Sequence, residues 1–261
     1  MPVTDAPAKA RALYDARRTR VPIPPFTDED PTLGMADGYA IQRELIDLLL
    51  ADGDRIVGHK VGLTSKPMQK MVGVDSPDYG PVLASTVYRD GDTIPASRFI
   101  APKIEAEIVF VIGERLEGPG VTVTQAHAAI AGAVAAMEIV DSRIADWRIK
   151  LADTVADLAS NGAMATSSRI VPITDIDPRL VGMTLTRNGE LIDTGAGAAA
   201  LGDPVAVVAW LANVLGGDGV ALEPGHLIMT GALHAAVPMT PGDVFRAEFD
   251  RLGPITVRVG E

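Results

Sequence analysis

At 261 residues, with 47% hydrophobic and 22% charged side chains, the chain is long enough for one large domain and apolar enough for a true core. Its net charge of -11 repels a polyanion and so argues against nucleic acid as a partner, and its lack of cysteine excludes disulfides, thiolate zinc sites and a cysteine nucleophile. Met1–Arg20 has no apolar signal-peptide core, and the longest apolar stretch, Ala128–Met137, is too short to span a bilayer, so a cytoplasmic protein without a membrane partner is expected.

Residues 6–20 read as a short polar helix, and Val21–Pro25 (VPIPP) must be extended. A stronger helix is predicted over about Met35–Asp52, where Ile41, Leu45, Leu48 and Leu49 form one apolar stripe and Gly53 supplies a left-handed stop. From Arg55 the pattern turns to strands: Arg55–Leu63 first, then a loop at Ser76–Gly80 (SPDYG), then the well-alternating Lys103–Ile112 (KIEAEIVFVI). Thr124–Met137 reads as a helix of small residues with Thr124 as its N-cap, and Glu138–Val140 as a short strand or helix exit. Met183–Ile192 is a hairpin around Asn188-Gly189, and Asp203-Pro204 caps a helix to about Leu215. Strands near Leu227–Thr230, Val244–Phe249 and Ile255–Val259 finish the chain, the last two flanking a turn that contains Gly253-Pro254. The sum is an α+β chain with helices first and a mostly antiparallel or mixed sheet after, and a boundary near residue 75 separates a helical or mixed portion (1–75) from a strand-rich domain (76–261).

On the predicted strand Lys103–Ile112, Glu105 and Glu107 share a face with Val109 and Val111, while Ile104, Ala106, Ile108, Phe110 and Ile112 take the other. Two carboxylates on one half-apolar face resist ionising together, and a bound divalent cation removes the conflict. Oxygen ligands of this kind favour Mg²⁺, Mn²⁺ or Ca²⁺ over zinc. The same spacing also fits ordinary surface glutamates. Glu138 lies in so apolar a run that it needs a partner, a metal or an arginine such as Arg143. Lys60, between Gly58 and Gly62, reads as a partly enclosed lysine beside open space, or as a snorkelling lysine at a bulge. Asp78 is a loop acid of a type that usually forms turns, and Ser160-Asn161-Gly162 and Thr230-Gly231 are small polar segments able to offer hydroxyls and backbone N–H groups to a substrate. His59, His127, His226 and His234 form no zinc-spaced pair, and neither a Walker loop nor a GxSxG elbow is present. Gly195–Ala200 lacks the third glycine of a dinucleotide loop.

Six segments taken together carry a further signal: Gly58–Ser65 (GHKVGLTS), Gly73–Gly80 (GVDSPDYG), Lys103–Ile108 (KIEAEI), Met137–Arg143 (MEIVDSR), Asp146–Asp157 (DWRIKLADTVAD) and Ile228–Ala232 (IMTGA). In this order they resemble the 2-keto-4-pentenoate hydratase and 4-oxalocrotonate decarboxylase family of the fumarylacetoacetate hydrolase superfamily, from about residue 35 to the C-terminus. The resemblance implies a mixed β-roll core behind a smaller helical N-terminal portion. It implies Mg²⁺ or Mn²⁺ on Glu105, Glu107 and Glu138 and catalytic roles for Lys60 and Asp78, while Ser160, Thr230 and Gly231 stand as the candidate substrate contacts. It further implies homo-oligomers, association with neighbouring enzymes, and work late in the meta-cleavage breakdown of aromatic compounds or sterol rings. The reaction expected is hydration of 2-hydroxypenta-2,4-dienoate or a homologue, with decarboxylation of 4-oxalocrotonate as the alternative and a non-catalytic structural partner as a further one. The chain departs from the family pattern at Leu158, Asn161 and His234, positions expected near the substrate tail.

Overall fold

The computed structural model describes residues 5–66, 69–70 and 74–261; Gly73 of the GVDSPDYG segment lies outside them. Three helices come first: α1 (Ala6–Thr19), the single turn α2 (Phe26–Glu29) and α3 (Met35–Ala51). The predicted stripe on α3 is the one that packs, since Ile41, Leu45 and Leu49 are buried, and Gly53 takes the left-handed stop with φ of 89°. Val21–Pro25 is extended, and Ile23 forms a parallel bridge with Ile144.

Strands β1 (Ile56–Gly62) and β2 (Asp78–Leu83) follow, then the short β3 (Val87–Arg89) and β4 (Thr93–Pro95), and then the long β5 (Lys103–Ile112). Helix α4 (Val123–Ala129) runs directly into β6 (Ile130–Val140), and the one-and-a-half-turn α5 (Leu151–Ala156) precedes β7 (Asn161–Thr166) and β8 (Val171–Pro172). The predicted hairpin is β9 (Gly182–Arg187) and β10 (Glu190–Ala196), with positive φ at both Asn188 and Gly189. Helix α6 (Pro204–Gly217) begins on the Asp203 cap, and β11 (Leu227–Met229), β12 (Val237–Pro238), β13 (Val244–Phe249) and β14 (Gly253–Gly260) complete the chain.

The strands form two open sheets among the described residues. The larger runs β2-β1-β11-β5-β6-β7-β3, with β12 added beside β5 and β8 beside β6; its β1–β11 and β3–β7 pairs are parallel and the others antiparallel. The smaller runs β10-β9-β13-β14-β4 and has one parallel pair, β14–β4. Helices with two mixed sheets are the expected α+β arrangement, with the helical portion first. One face of the large sheet (Ile104, Ala106, Ile108, Phe110) joins Val208 and Leu211 of α6 and Phe245 and Ile255 of the small sheet in the main core. The opposite face carries a smaller cluster of Val109, Val134, Ala136, Met164 and Met229. Helices α1 and α3 pack in a third cluster that includes Leu83, Ile144 and Leu158.

Three sequence expectations need correction. The helix predicted over Thr124–Met137 stops at Ala129, and its N-cap is Thr122, whose hydroxyl accepts from the Gln125 N–H while the Gln125 side chain accepts from the Thr122 N–H. Residues 130–137 belong to β6, which is buried on both faces and so reads as a continuous run of small apolar residues without alternation. Asp78 opens β2 and is not a loop residue, and Gly253-Pro254 starts β14, the turn lying just before it.

Candidate active site

Strand alternation puts the candidate residues on one face of the large sheet. In register, Glu105 sits opposite Glu138 across β5–β6, Lys60 opposite Met229 across β1–β11, and Asp78 opposite Gly62 across β2–β1. Met229 is opposite Val109, and Val109 opposite Val134, so the apolar cluster of this face fills one end and the charged groups the other. One carboxylate oxygen each from Glu105, Glu107 and Glu138 lies within 4.8 Å of the other two. Glu107 and Glu138 are buried and Glu105 is half-buried. The readings of Glu105 and Glu107 as surface glutamates, and of Glu138 as a partner for Arg143, do not describe this arrangement: Arg143 pairs with Asp157 instead.

Glu107 and Glu138 are each braced by a neutral donor and keep an oxygen free. Glu107 Oε2 accepts from the Gly231 N–H at 2.9 Å and Glu138 Oε1 from Asn161 Nδ2 at 2.9 Å. Glu107 Oε1, Glu138 Oε2 and Asp78 Oδ1 are buried without a hydrogen-bond partner. Burial, then the charge of Glu138, pushes the Glu105 carboxyl up to about 7 and holds Glu107 well above its ordinary value. Burial likewise raises Asp78, against the opposing pull of Lys60. Lys60 Nζ donates to the Ala159 carbonyl at 3.0 Å and lies 3.5 Å from Glu138 Oε2. Burial would lower the ammonium, but Glu138, Asp78, Glu105 and Glu107 outweigh it and hold it above its usual value. Four acids, three of them buried and Glu105 half-buried, face the Lys60 ammonium. Such an excess of oxygen ligands with unfilled lone pairs fits a hard dication.

The backbone around the site is specialised. A Cβ on Gly62 would stand 2.2 Å from Asp78 Oδ1, and one on Gly80 would stand 2.3 Å from the Leu158 carbonyl. Gly231 has φ of 101°, and a side chain there would run into Thr64. Leu158, Ala159 and Ser160 are all left-handed, which costs on the order of 1–2 kcal/mol per non-glycine residue. The turn persists because its ends are clamped: the Asp157 carboxylate accepts from Arg143 Nε at 2.5 Å and the Arg143 N–H at 2.8 Å, and the Ser160 carbonyl accepts from the Asp141 N–H. This clamp presents Ala159 to Lys60 and puts Ser160 on the pocket wall, its hydroxyl 3.0 Å from that of Thr154.

The pocket is a cavity of about 1010 Å³ whose polar end is Lys60, Asp78, Glu105 and Glu107. Its far walls include Trp147, Leu151, Leu201 and His234. Thr230 is not on the wall. It is fully buried, and its hydroxyl donates to the Ile108 carbonyl, which fixes the start of the Gly231 turn. Of the positions expected near the substrate tail, only His234 lines the pocket: Asn161 is bonded to Glu138, and Leu158 is buried against Gly80. The Ala106 N–H donates to His234 Nε2, so the proton is on Nδ1, which faces the Ala235 carbonyl. Sequence reasoning missed Asn161 as a support of Glu138, and missed Gln42, whose amide donates to the carbonyls of Tyr79 and Val155 and ties α3 to β2 and α5. The available signal was a glutamine beside Ile41 on the apolar stripe.

Comparison with known proteins agrees with this geometry. Residues 55–260 match the model of the fumarylacetoacetate (FAA) hydrolase C-terminal family. The chain belongs to the fumarylacetoacetate hydrolase family. Its relatives include a 2-keto-4-pentenoate hydratase of Paraburkholderia xenovorans, 43% identical over 94% of this chain and 91% of that one, and a 2-hydroxyhexa-2,4-dienoate hydratase of Comamonas testosteroni, 37% identical over 97% of each. Among solved structures, a 4-oxalocrotonate decarboxylase from Pseudomonas putida G7 complexed with magnesium and adipate superposes with a TM-score of 0.94 at 36% identity, covering 97% of each chain. The fumarylacetoacetate hydrolase match begins one residue before β1. It therefore takes in every candidate site residue and leaves α1–α3 outside.

Proposed function

We propose that the protein is a metal-dependent hydratase that adds water to 2-hydroxypenta-2,4-dienoate or a homologue, giving a 4-hydroxy-2-oxo acid in aromatic or sterol catabolism. The observation that carries the reading is the triad of Glu105, Glu107 and Glu138 gathered beside Lys60 and Asp78, with Lys60, Asp78, Glu105 and Glu107 lining a large pocket. Glu105, Glu107 and Glu138 would hold Mg²⁺ or Mn²⁺, Glu107 positioned by Gly231 and Glu138 by Asn161. The ion, when bound, supplies Lewis-acid polarisation of the substrate's C2 oxygen.

The remaining steps fall to the chain. Lys60, whose ammonium faces this acidic end, is assigned the substrate's carboxylate. The enol proton leaves the C2 oxygen and a proton arrives at C5, which moves the double bond to C3–C4; water then adds its oxygen at C4, and C3 takes a proton. Asp78, buried with Oδ1 free and close to Lys60, is assigned the proton carrying. Ser160 binds from the wall, and Thr230 acts through the Gly231 turn. The rest of the pocket leaves room for a tail longer than five carbons.

A second reading, decarboxylation of 4-oxalocrotonate, is favoured by the likeness to the magnesium-bound decarboxylase. It uses the same electron sink and differs in the bond that breaks. A purely structural partner would have no reason to keep these three carboxylates together. We further propose a cytoplasmic homo-oligomer that associates with neighbouring enzymes; a division at residue 75 would cut β1 from the large sheet it belongs to.

The deciding experiment is NMR product analysis after incubation with 2-hydroxypenta-2,4-dienoate and Mg²⁺, with and without a chelator. Chelator-sensitive formation of 4-hydroxy-2-oxopentanoate supports the hydratase. Unchanged dienoate together with carbon dioxide release from 4-oxalocrotonate selects the decarboxylase.

A further inference from the structure

A second cavity, of about 110 Å³, touches the clamp that holds the Asp157–Ser160 turn. Its wall carries four guanidinium groups from separate parts of the chain: Arg17 and Arg20 at the end of α1, Arg98 before β5, and Arg143 just after β6. Asp141 is the one acid on that wall. In a chain of net charge -11 this is a local reversal of sign.

Most of these groups are already engaged. Arg143 is held by Asp157 and by the Asn161 carbonyl. Arg98 Nη1 donates to the Tyr88 hydroxyl at 2.6 Å, and Arg20 Nη1 to the Arg18 carbonyl. The Asp141 carboxylate accepts from the N–H groups of Ile100 and Ala101, and its distance to Arg143 is 3.9 Å. Arg17 is the exception. It is half-buried, and its side chain has no hydrogen bond or ion pair among the described residues. Burial, then repulsion from Arg143, pushes its guanidinium down to about 10, which still leaves it charged at neutral pH. Asp157 and Asp141 attract this half-buried charge without bonding to it, which leaves its donors open, and planar guanidinium donors match the oxygens of phosphate and carboxylate.

We propose that this cavity is a binding site for a small oxyanion, a phosphate or a short carboxylate, held by Arg17 with Arg20 and Arg98. The occupant would sit against Arg143 and so brace the turn that carries Ala159 and Ser160. The inference does not depend on the reaction assigned to the active site.

The test is thermal unfolding of the metal-free full chain in sodium phosphate, sodium malonate and sodium chloride at matched ionic strength. The expected result is a saturable rise in melting temperature with phosphate or malonate and none with chloride, because a ligand of the native state stabilises it by mass action. A rise with only one of the two names the class of the occupant. In Arg17→Gln the half-saturating concentration should move up at least tenfold. Arg17 makes no internal bond to lose, and Arg20→Gln, at an exposed position, repeats the comparison if the first variant folds poorly. A phosphate or malonate rise no greater than that with chloride overturns the proposal, as does the same saturation curve in both variants and the wild type.

Discussion

At Glu107, one oxygen is braced by the Gly231 N–H and the other is buried and free. Glu107→Gln keeps an acceptor for Gly231 and removes a charge that Glu138 and Glu105 repel. The expected outcome is a metal-free protein that melts higher, on the order of 2–4 °C for each kcal/mol relieved, with loss of the Mg²⁺-induced rise; a Mg²⁺ response as large as wild type's would remove Glu107 from the ligand set. Asn161 acts one step further out. Asn161→Ala leaves Glu138 Oε1 without its donor and should weaken Mg²⁺ binding by roughly 10–100-fold, read by titration against the melting temperature. The Glu105 carboxyl also sets a pH dependence. Its value in the metal-free fold, about 7, is above that of an unfolded glutamate, so the folded state binds the proton more tightly. This contribution to stability is present in full below the unfolded value and is lost as pH rises through about 7. A dication replaces that proton, so the Mg²⁺-induced rise should be larger at pH 8 than at pH 5.5. Equal rises at the two pH values would contradict this.

The elements differ in how far the sequence disclosed them, for physical reasons. Strand β5 is buried with two chemically distinct faces, so its alternation is written in KIEAEIVFVI and the carboxylate pair could be read from it directly. Strand β6 is covered on both sides and its alternation disappears, so most of it looks like a helix, and the grouping of Glu138 with Glu105 came from the family resemblance and not from periodicity. Asn161 and the left-handed turn before it were not legible as parts of the site, because their roles depend on the Arg143–Asp157 clamp brought in from β6. Two variants probe this scale. Thr122→Ala removes the observed cap and should cost about 0.5–2 kcal/mol in chemical denaturation, while Thr124→Ala, exposed in the first turn, should stay within about 0.5 kcal/mol of wild type. Gly80→Ala forces a methyl group against the Leu158 carbonyl and displaces the turn whose Ala159 carbonyl holds Lys60. It should lower stability by about 1–3 kcal/mol and lower kcat by more than that loss explains at a temperature where the variant stays folded. Unchanged kcat would separate the turn from catalysis.

Across the whole molecule, the chain order of helices first and strands after suggested two portions, but the packing ties them together. Ala10 and Leu13 of α1 are fully buried in a cluster that also contains Leu83 of β2, Ile144 and Leu158. Gln42 of α3 bonds to carbonyls of β2 and α5, and Asp153 of α5 accepts from the Thr27 N–H and hydroxyl in α2. The N-terminal helices thus form the back wall of the segments that present Asp78, Ala159 and Ser160, and they cannot leave without exposing that wall. A single cooperative unfolding transition follows. Both tryptophans, Trp147 and Trp210, lie after β1, whereas α1 and α3 supply much of the helical signal, so the two probes report on different portions of the chain. Melts followed by tryptophan fluorescence and by far-ultraviolet circular dichroism should therefore coincide. An early loss of helical signal with tryptophan fluorescence still native would mean that the helices fold as a separate unit, and the site would then have to keep its geometry without them.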